Sequence, residues 1–497
     1  MKHDSIVERR FVSTLLMFSL LSIAWTAVGG NGSRAMAQER QNSRRTASQR
    51  QQERERRDED DAEGEGSLEL FPLQLGEDRV EYELPAAYDD VCLAGSGRFL
   101  IFHFPSLDQL GFFDICMGRI TKYVRLEDDD VRIAGGAENF YVAIRSTNII
   151  QRWSLRTFER ETAMNLPLTN PVDAIATGAS ATGPVYASAM HEPGLLLDPQ
   201  RLRPMPIEVV DHVYQQRDAK VPGAGPESRV RASNDGRVFT FREINVSPGG
   251  FRTMLIDGRQ AHVNYKHDTM GYIAPSPDGE LMYTARGIFT YATEDYSANL
   301  ELRAESFPIP AVDGPYSVWI ARSDNGNTGV DATARATIHI NGDAESIITI
   351  PELSIRSGNY GDFHAREAMT LDRRVWFVPA AETILTLPTS DRSVVMHRFA
   401  LDRALEEADI DYLFVTSRPP ATVRRSGSMR YPIEVSSRNG GLTYRLESGP
   451  DRMSVSEDGI VTWRPARRDA GKEQVVIISI RDASGGEITH TFRFTVE

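Results

Sequence analysis

The sequence predicts an all-β chain, in which a long repetitive body of short strands is followed by a small, separate β-sandwich. Three observations carry this. From Leu68 onward no long helical period appears, and apolar residues come in short alternating or continuous runs. Gly, Asp-Gly and Pro clusters interrupt those runs. The interruptions recur: the first three units begin about 41 residues apart, and the Asp-Gly turns at Asp235 and Asp278 lie 43 apart.

The chain opens with a targeting pattern over residues 1–37. Lys2, Arg9 and Arg10 give a positive start, Phe11 to Val28 is an uncharged run of 18 mostly apolar residues, and Ala35-Met36-Ala37 is a small-residue cleavage pattern. This predicts a signal peptide. The apolar run also meets the lower length limit for a membrane span, so an uncleaved N-terminal anchor is the alternative. Either outcome exports the rest of the chain.

Residues 38–66 contain no Val, Ile, Leu, Phe, Trp or Tyr, which predicts a disordered charged linker. The net charge of the chain is −14. The two leading segments together are neutral, so the acidity belongs to the folded part. An acidic body of this kind argues against nucleic acid as a partner, because phosphate binding needs clustered Lys and Arg.

Residues 67–416 form the repetitive body. Unit one runs from Asp89 through Gly95-Ser-Gly97 to Phe113-Asp114, and unit two from Asp130 through Gly135-Gly136 to Trp153. Unit three runs from Val172 to Leu197-Asp198; units four and five carry the turns Asn234-Asp235-Gly236 and Ser276-Pro277-Asp278-Gly279. Unit six is looser, around Tyr316–Ile320 and Ala336–Ile340, and unit seven spans Leu371–Arg374 and Val394–Leu401. Repeats of 40–45 residues with four strands each predict a β-propeller of about seven four-stranded blades. Arg79-Val-Glu-Tyr-Glu-Leu84 alternates apolar and polar residues and is the candidate strand that closes the ring on the last blade.

The two cysteines, Cys92 and Cys116, fall on the first and third strands of one meander. That is roughly twice the strand spacing of about 4.8 Å, beyond a disulfide's reach, so two buried free thiols are expected.

Ile150-Gln-Arg-Trp-Ser-Leu-Arg-Thr-Phe-Glu159 resembles the end of a third strand in WD40-type blades, with Ser154 in place of the usual Asp. Ser276-Pro-Asp-Gly279 resembles the turn common to WD40-like and TolB-like blades. The Gly-His start of strict WD40 repeats is missing, so the resemblance implies a degenerate propeller and no particular propeller family.

Residues 417–497 follow a stiff break at Pro419-Pro420. Seven short strands are expected there, which predicts a β-sandwich. Tyr431, Leu442-Thr-Tyr444, Gly449-Pro450, Met453, Gly459, Thr462-Trp463-Arg-Pro465, Asp482, Gly485 and Phe492-Arg-Phe494-Thr-Val496 resemble the bacterial immunoglobulin-like, cadherin-related sandwiches of exported proteins. The calcium-binding motif of cadherins is missing, so no calcium is expected between modules. The whole arrangement resembles large exported proteins of planctomycete-type bacteria, which implies compartment and fold but no activity.

No sequence pattern marks a catalytic, cofactor-binding or metal-binding residue, and no cofactor is expected. His262 and His267 are close in sequence, Glu127–Asp130 is an acidic run, and Asp324–Asp331 carries oxygen ligands without the distal Glu of a calcium loop. Solvated loops and turns are the plainer reading of each. Arg152, Arg237 and Arg374 stand near blade turns and are candidates to ring a central channel and receive an anion. The functional expectation is a non-enzymatic binding or scaffold protein of the cell envelope, contacting a protein or glycan, with membrane contact only through an uncleaved N-terminal segment. The alternative is a propeller-based carbohydrate hydrolase or lyase.

Overall fold

The computed structural model describes residues 68–496 except 74–76, 217, 226–227, 245–247, 297–305, 322–332, 342–344, 356–369, 409, 418 and 421. The expected signal peptide, the charged linker and the Asp324–Asp331 loop lie outside the described residues.

Among the described residues, seven sheets follow one another along the body. Blade 1 is Asp90–Ala94, Phe99–Phe104, Gln109–Asp114 and Arg119–Arg125; blade 2 is Val131–Gly135, Asn139–Ile144, Ile149–Ser154 and Arg160–Asn165. Blade 3 is Val172–Ala176, Val185–Ala189 and Leu195–Leu197; blade 4 begins Ser228–Ala232, Val238–Glu243, Phe251–Asp257 and Gln260–Lys266. Blade 5 is Ile273–Pro275, Leu281–Thr284 and Gly287–Thr290; blade 6 is Ser306–Pro310, Tyr316–Ala321, Ala334–Ile340 and Ser346–Leu353. Blade 7 joins Val375–Val378, Thr383–Thr386 and Ser393–Arg398 to the early strand Arg79–Glu83.

The leading strands of consecutive blades pack side by side from blade 1 to blade 6. The apolar residues sit between blades rather than around one centre. Phe99, Ile101 and Phe112 of blade 1 meet Val131, Ile133, Phe140 and Val142 of blade 2. Phe102 and Phe104 share a second cluster with Val378, Leu385 and Val394 of blade 7. A strand such as Phe99–Phe104 is therefore buried on both faces, which is why it reads as a continuous apolar run instead of an alternating one. This is a β-propeller. Its closure is as the alternation of Arg79–Leu84 suggests: Arg79–Glu83 pairs antiparallel with Ser393–Arg398, from Arg79 opposite His397 to Glu83 opposite Ser393.

The expectation of four strands in every blade needs correction. Among the described residues blades 3 and 5 each show three, and blade 4 has a fifth, Glu208–Asp211, running parallel to Gln260–Lys266. Pro204 and Pro206 explain the change between blades 3 and 4. Without amide hydrogens they cannot continue the blade 3 ladder, which ends at the isolated Leu197–Pro204 bridge. The chain then crosses to the outer edge of blade 4.

Both cysteines are free. Cys92 lies in the first strand of blade 1, and Cys116 follows the third, where its sulfur accepts the Phe71 amide at 3.4 Å.

Beyond the body, two sheets enclose a further core. One comprises Thr422–Val423, Glu487–Val496, Glu473–Arg481 and Thr443–Ser448; the other comprises Met429–Pro432, Ile460–Trp463 and Ser454–Val455. Tyr431, Val461, Trp463, Val476, Ile478, Phe492 and Phe494 fill the space between them. The helix Leu401–Glu407 and the strand Leu413–Val415 lead into this region. Phe414 packs edge-on against Tyr316 of blade 6, ring centres 5.2 Å apart, while its backbone pairs with Ser436.

Candidate functional site

Because the leading strands stand nearest the propeller axis, their side chains and those of the adjoining turns surround the central channel. The channel holds a cavity of about 480 Å³. Asp89, Asp90, Arg132, Asp173, Arg229, Arg231, Asp372 and Arg373 supply its charge.

Local turn chemistry positions these groups. In Ser233-Asn-Asp-Gly236 the Ser233 hydroxyl donates to Asp235 at 2.5 Å, and Gly236 takes a φ of 76°. Ser276 and Asp278 repeat the contact at 2.5 Å. Thr370-Leu-Asp372 uses the same Ser/Thr-x-Asp arrangement, with Thr370 donating to one oxygen of Asp372. Here the second carboxylate oxygen accepts from Arg231 Nε at 2.7 Å, so the turn ahead of blade 7 is tied across the channel to blade 4. Arg373 donates to Asp90 and to the Val91 carbonyl, linking blade 7 to blade 1.

Burial works to raise the Asp372 carboxyl. The guanidinium of Arg231, hydrogen bonds from Thr370 and Arg231, and nearby Arg373 outweigh it and hold the group below the ordinary carboxylate range. Asp173 is held by Arg145 at 2.8 Å and accepts the Met190 amide at 2.9 Å, while Arg132 donates to its backbone carbonyl at 3.0 Å. Burial pushes the Cys92 thiol, also on the channel wall, far up from its ordinary value.

Positive charge gathers on one side. Arg229 and Arg231 alternate along the first strand of blade 4 and share a face. Arg242 lies directly opposite Arg229 on the second strand and points the same way. Thr240, opposite Arg231, donates to the Ile273 carbonyl at 3.1 Å, so this face is turned toward blade 5. Burial, then the like charges of Arg231 and Arg373, push Arg229 down to about 10. Burial also lowers Arg231 and Arg242.

The arginines singled out from sequence do not ring the channel. Arg152 lies in the third strand of blade 2, bonded to Glu161 at 2.8 Å and to the Pro199 carbonyl at 2.9 Å. Arg237 follows a turn and Arg374 precedes Val375; Arg374 binds Asp391 at 2.8 Å. None of the three lines the cavity. Arg132, Arg229, Arg231 and Arg373 stand there instead. The sequence signal for two of them is Arg229-Val-Arg231, cations at period two just before a Ser-x-Asp-Gly turn.

The structure does not bring His262 and His267 together. His262 Nδ1 lies 3.1 Å from His212 Nε2, and His267 Nδ1 lies 2.9 Å from the Tyr265 hydroxyl. In the acidic run, Asp128 accepts from Ser146 at 2.7 Å and Asp130 binds Arg145 through both oxygens at 3.0 and 3.1 Å. These carboxylates tie the loop to blade 2. Among the described residues, no group of three His, Cys, Asp or Glu side chains is placed to hold a metal, and no helix is long and apolar enough to cross a membrane.

No protein-family model matches the chain, and none of the curated proteins does. Many solved structures resemble it, among them these two. One is the β-propeller domain of Cps50 (Swd1) from Myceliophteria thermophila, 8% identical, with a TM-score of 0.41, covering 65% of this chain and 100% of that one. The other is hydrazine synthase from Kuenenia stuttgartiensis, 13% identical, with a TM-score of 0.39, covering 65% of this chain and 98% of that one. The propeller assignment stands on the strand pairing described above.

Proposed function

We propose that the chain is an exported, non-enzymatic binding protein of the cell envelope. The propeller holds a protein or glycan ligand, and the C-terminal two-sheet region acts as an immunoglobulin-like spacer or contact module. Export rests on the N-terminal pattern of a positive start, an apolar run and Ala35-Met36-Ala37. The reading of residues 417–497 as immunoglobulin-like rests on the motif residues Tyr431, Trp463, Phe492 and Phe494, which meet in one core.

One observation carries the choice of binding over catalysis: of the carboxylates that line the cavity, Asp90, Asp173 and Asp372 are engaged by arginine and Asp89 by the His103 ring at 2.6 Å. Glycoside cleavage requires a protonated carboxyl as acid beside a second carboxylate. Asp372, held below the ordinary carboxylate range by the Arg231 guanidinium, has no proton to give at neutral pH.

The test is capture of envelope proteins and glycans by the purified full chain, beside a panel of glycoside hydrolase and lyase substrates. Saturable capture without turnover is expected. Turnover that disappears in Asp372→Asn or Asp173→Asn would overturn the proposal.

A further inference from the structure

The crossing strand of blade 4 brings together two histidines that lie 50 residues apart in the chain. Glu208–Asp211 runs parallel to Gln260–Lys266 with Val210 opposite His262, so His212 falls on the same face two residues further on. Backbone contacts fix both positions. The His212 amide donates to the Val263 carbonyl at 3.1 Å. Asp211 accepts the Val213 and Tyr214 amides at 2.9 and 3.0 Å, which pins the turn that carries His212. His262 Nδ1 then stands 3.1 Å from His212 Nε2. The ring centres are 5.3 Å apart and the planes differ by 11°, so the imidazoles meet edge to edge with these nitrogens leading. His212 is exposed and His262 half-buried, which leaves the pair open to small solutes.

We propose that His212 and His262 form a binding site for a divalent transition-metal ion of the zinc class, with water completing its coordination shell. Imidazole nitrogen is a preferred donor for such ions. A tetrahedral ion bonded at about 2.0–2.1 Å to each nitrogen holds the two about 3.3 Å apart, close to the spacing already present. Each ring need only swing so that its lone pair turns from its neighbour to the shared ion. The hydrogen between the rings passes by water exchange to the far nitrogen of the ring that carries it. The net charge of −14 draws cations to the chain. The ion would tie the end of the crossing strand to Gln260–Lys266. His267, nearer to His262 in sequence, is hydrogen-bonded to Tyr265 instead and stands outside the pair. The proposal is independent of any ligand held in the channel.

The test is calorimetric titration of the full chain with Zn²⁺, beside Mg²⁺ and Ca²⁺, which prefer oxygen ligands. Zn²⁺ should bind, and His212→Gln and His262→Gln should each lose one equivalent or weaken it by about tenfold or more. His267→Gln should keep that equivalent. Mg²⁺ and Ca²⁺ should not compete for it. Binding should weaken as pH falls, because protons compete for the same nitrogens. Zinc should also slow hydrogen exchange in Glu208–Asp211, since the ion ties that strand to its neighbour.

The glutamine variants guard against a mere folding defect. Glutamine keeps an amide able to bond the remaining imidazole, so without zinc both variants should melt with the parent. With zinc the parent should gain more than either variant, because it alone holds the full site. Failure of Zn²⁺ to bind the parent overturns the proposal. So does binding that both variants retain in full, or binding that leaves the exchange of Glu208–Asp211 unchanged.

Discussion

Arg231, on the first strand of blade 4, donates its Nε hydrogen to Asp372 at 2.7 Å, although 141 residues separate them. The pair spans the axis of the propeller. Asp372 is almost fully buried and the Arg231 side chain is 21% exposed. Removing one member of such a pair leaves a charge with little water to solvate it. Asp372→Asn should therefore lower unfolding stability by about 3 kcal/mol, near the low end for a broken buried ion pair, because Arg231 keeps some solvent. Urea denaturation of parent and variant measures it. The folded carboxyl lies below its ordinary value, so its contribution is present above about pH 4 and is lost as pH falls through the folded value. The parent and Asp372→Asn should thus converge in stability at low pH.

Ring closure can be tested through the strand Arg79–Glu83. It supplies the outer strand of blade 7 and places Tyr82 edge-on to Phe113 of blade 1, ring centres 5.4 Å apart. A chain lacking residues 1–84 exposes the edge of Ser393–Arg398. Hydrogen exchange should then quicken in Ser393–Arg398 and spare blade 3. Unchanged protection in the last blade would refute the closing role.

The closing strand was legible because its outer position leaves one face toward water, and alternation survives there. Continuous runs such as Phe99–Phe104 signalled strands for the opposite reason, being covered on both faces. The period of the turns gave the propeller. The crossover of Glu208–Asp211 to blade 4 was not legible, because prolines say only that a ladder ends and not where the chain goes next. The channel arginines were missed through a rule of position: leading strands line a channel, whereas Arg237 stands just ahead of the second strand of blade 4 and Arg374 is drawn to Asp391. Arg242 joins Arg229 through antiparallel register, and Asp372 reaches Arg231 only when the ring is formed. Neither relation is carried by local sequence.

Gly135 marks how closely blades 1 and 2 approach. A Cβ there would lie 2.2 Å from the Leu93 carbonyl oxygen and 2.5 Å from Ala94 Cβ. The first of these is backbone and cannot rotate away. Gly135→Ala should force the leading strands apart and cost about 3 kcal/mol, the upper part of the range for overpacking. Thermal unfolding of the variant measures this. Gly258→Ala, where nothing lies within 4 Å, controls for space but retains the strain of a φ of 59°.

Phe414 couples the propeller to the C-terminal two-sheet region. Its ring lies in the core formed by blades 5 to 7, and its backbone pairs with the strand Val435–Ser437. Phe414→Ala should cost about 3 kcal/mol, as large-to-small changes of buried aromatics do. It should also separate the unfolding of residues 422–496 from that of the propeller. Calorimetry should resolve two transitions in the variant where the parent shows greater overlap.

His397 predicts the acid sensitivity of the closed ring. It lies opposite Arg79 at the closing seam, and its Nε2 accepts the Ser354 amide at 3.2 Å. Burial, then the nearby Arg79 guanidinium, push it down to about 4 from an ordinary 6.5. An imidazole that accepts at Nε2 must be neutral there, so protonation breaks the bond. The unfolded chain takes up this proton below about pH 6.5, while the folded chain resists until about pH 4. Stability is therefore fully present above the unfolded value and declines as pH falls from about 6.5 to about 4, by about 3 kcal/mol for this residue. His490, buried beside Tyr431 and also pushed down to about 4, adds a second decline over the same window. His397→Gln offers its carbonyl oxygen to the Ser354 amide and has no proton to gain, so the loss of stability between pH 6.5 and pH 4 should shrink by about 3 kcal/mol. Denaturation midpoints of parent and variant across that range measure the difference; parallel curves would show that His397 does not titrate against folding.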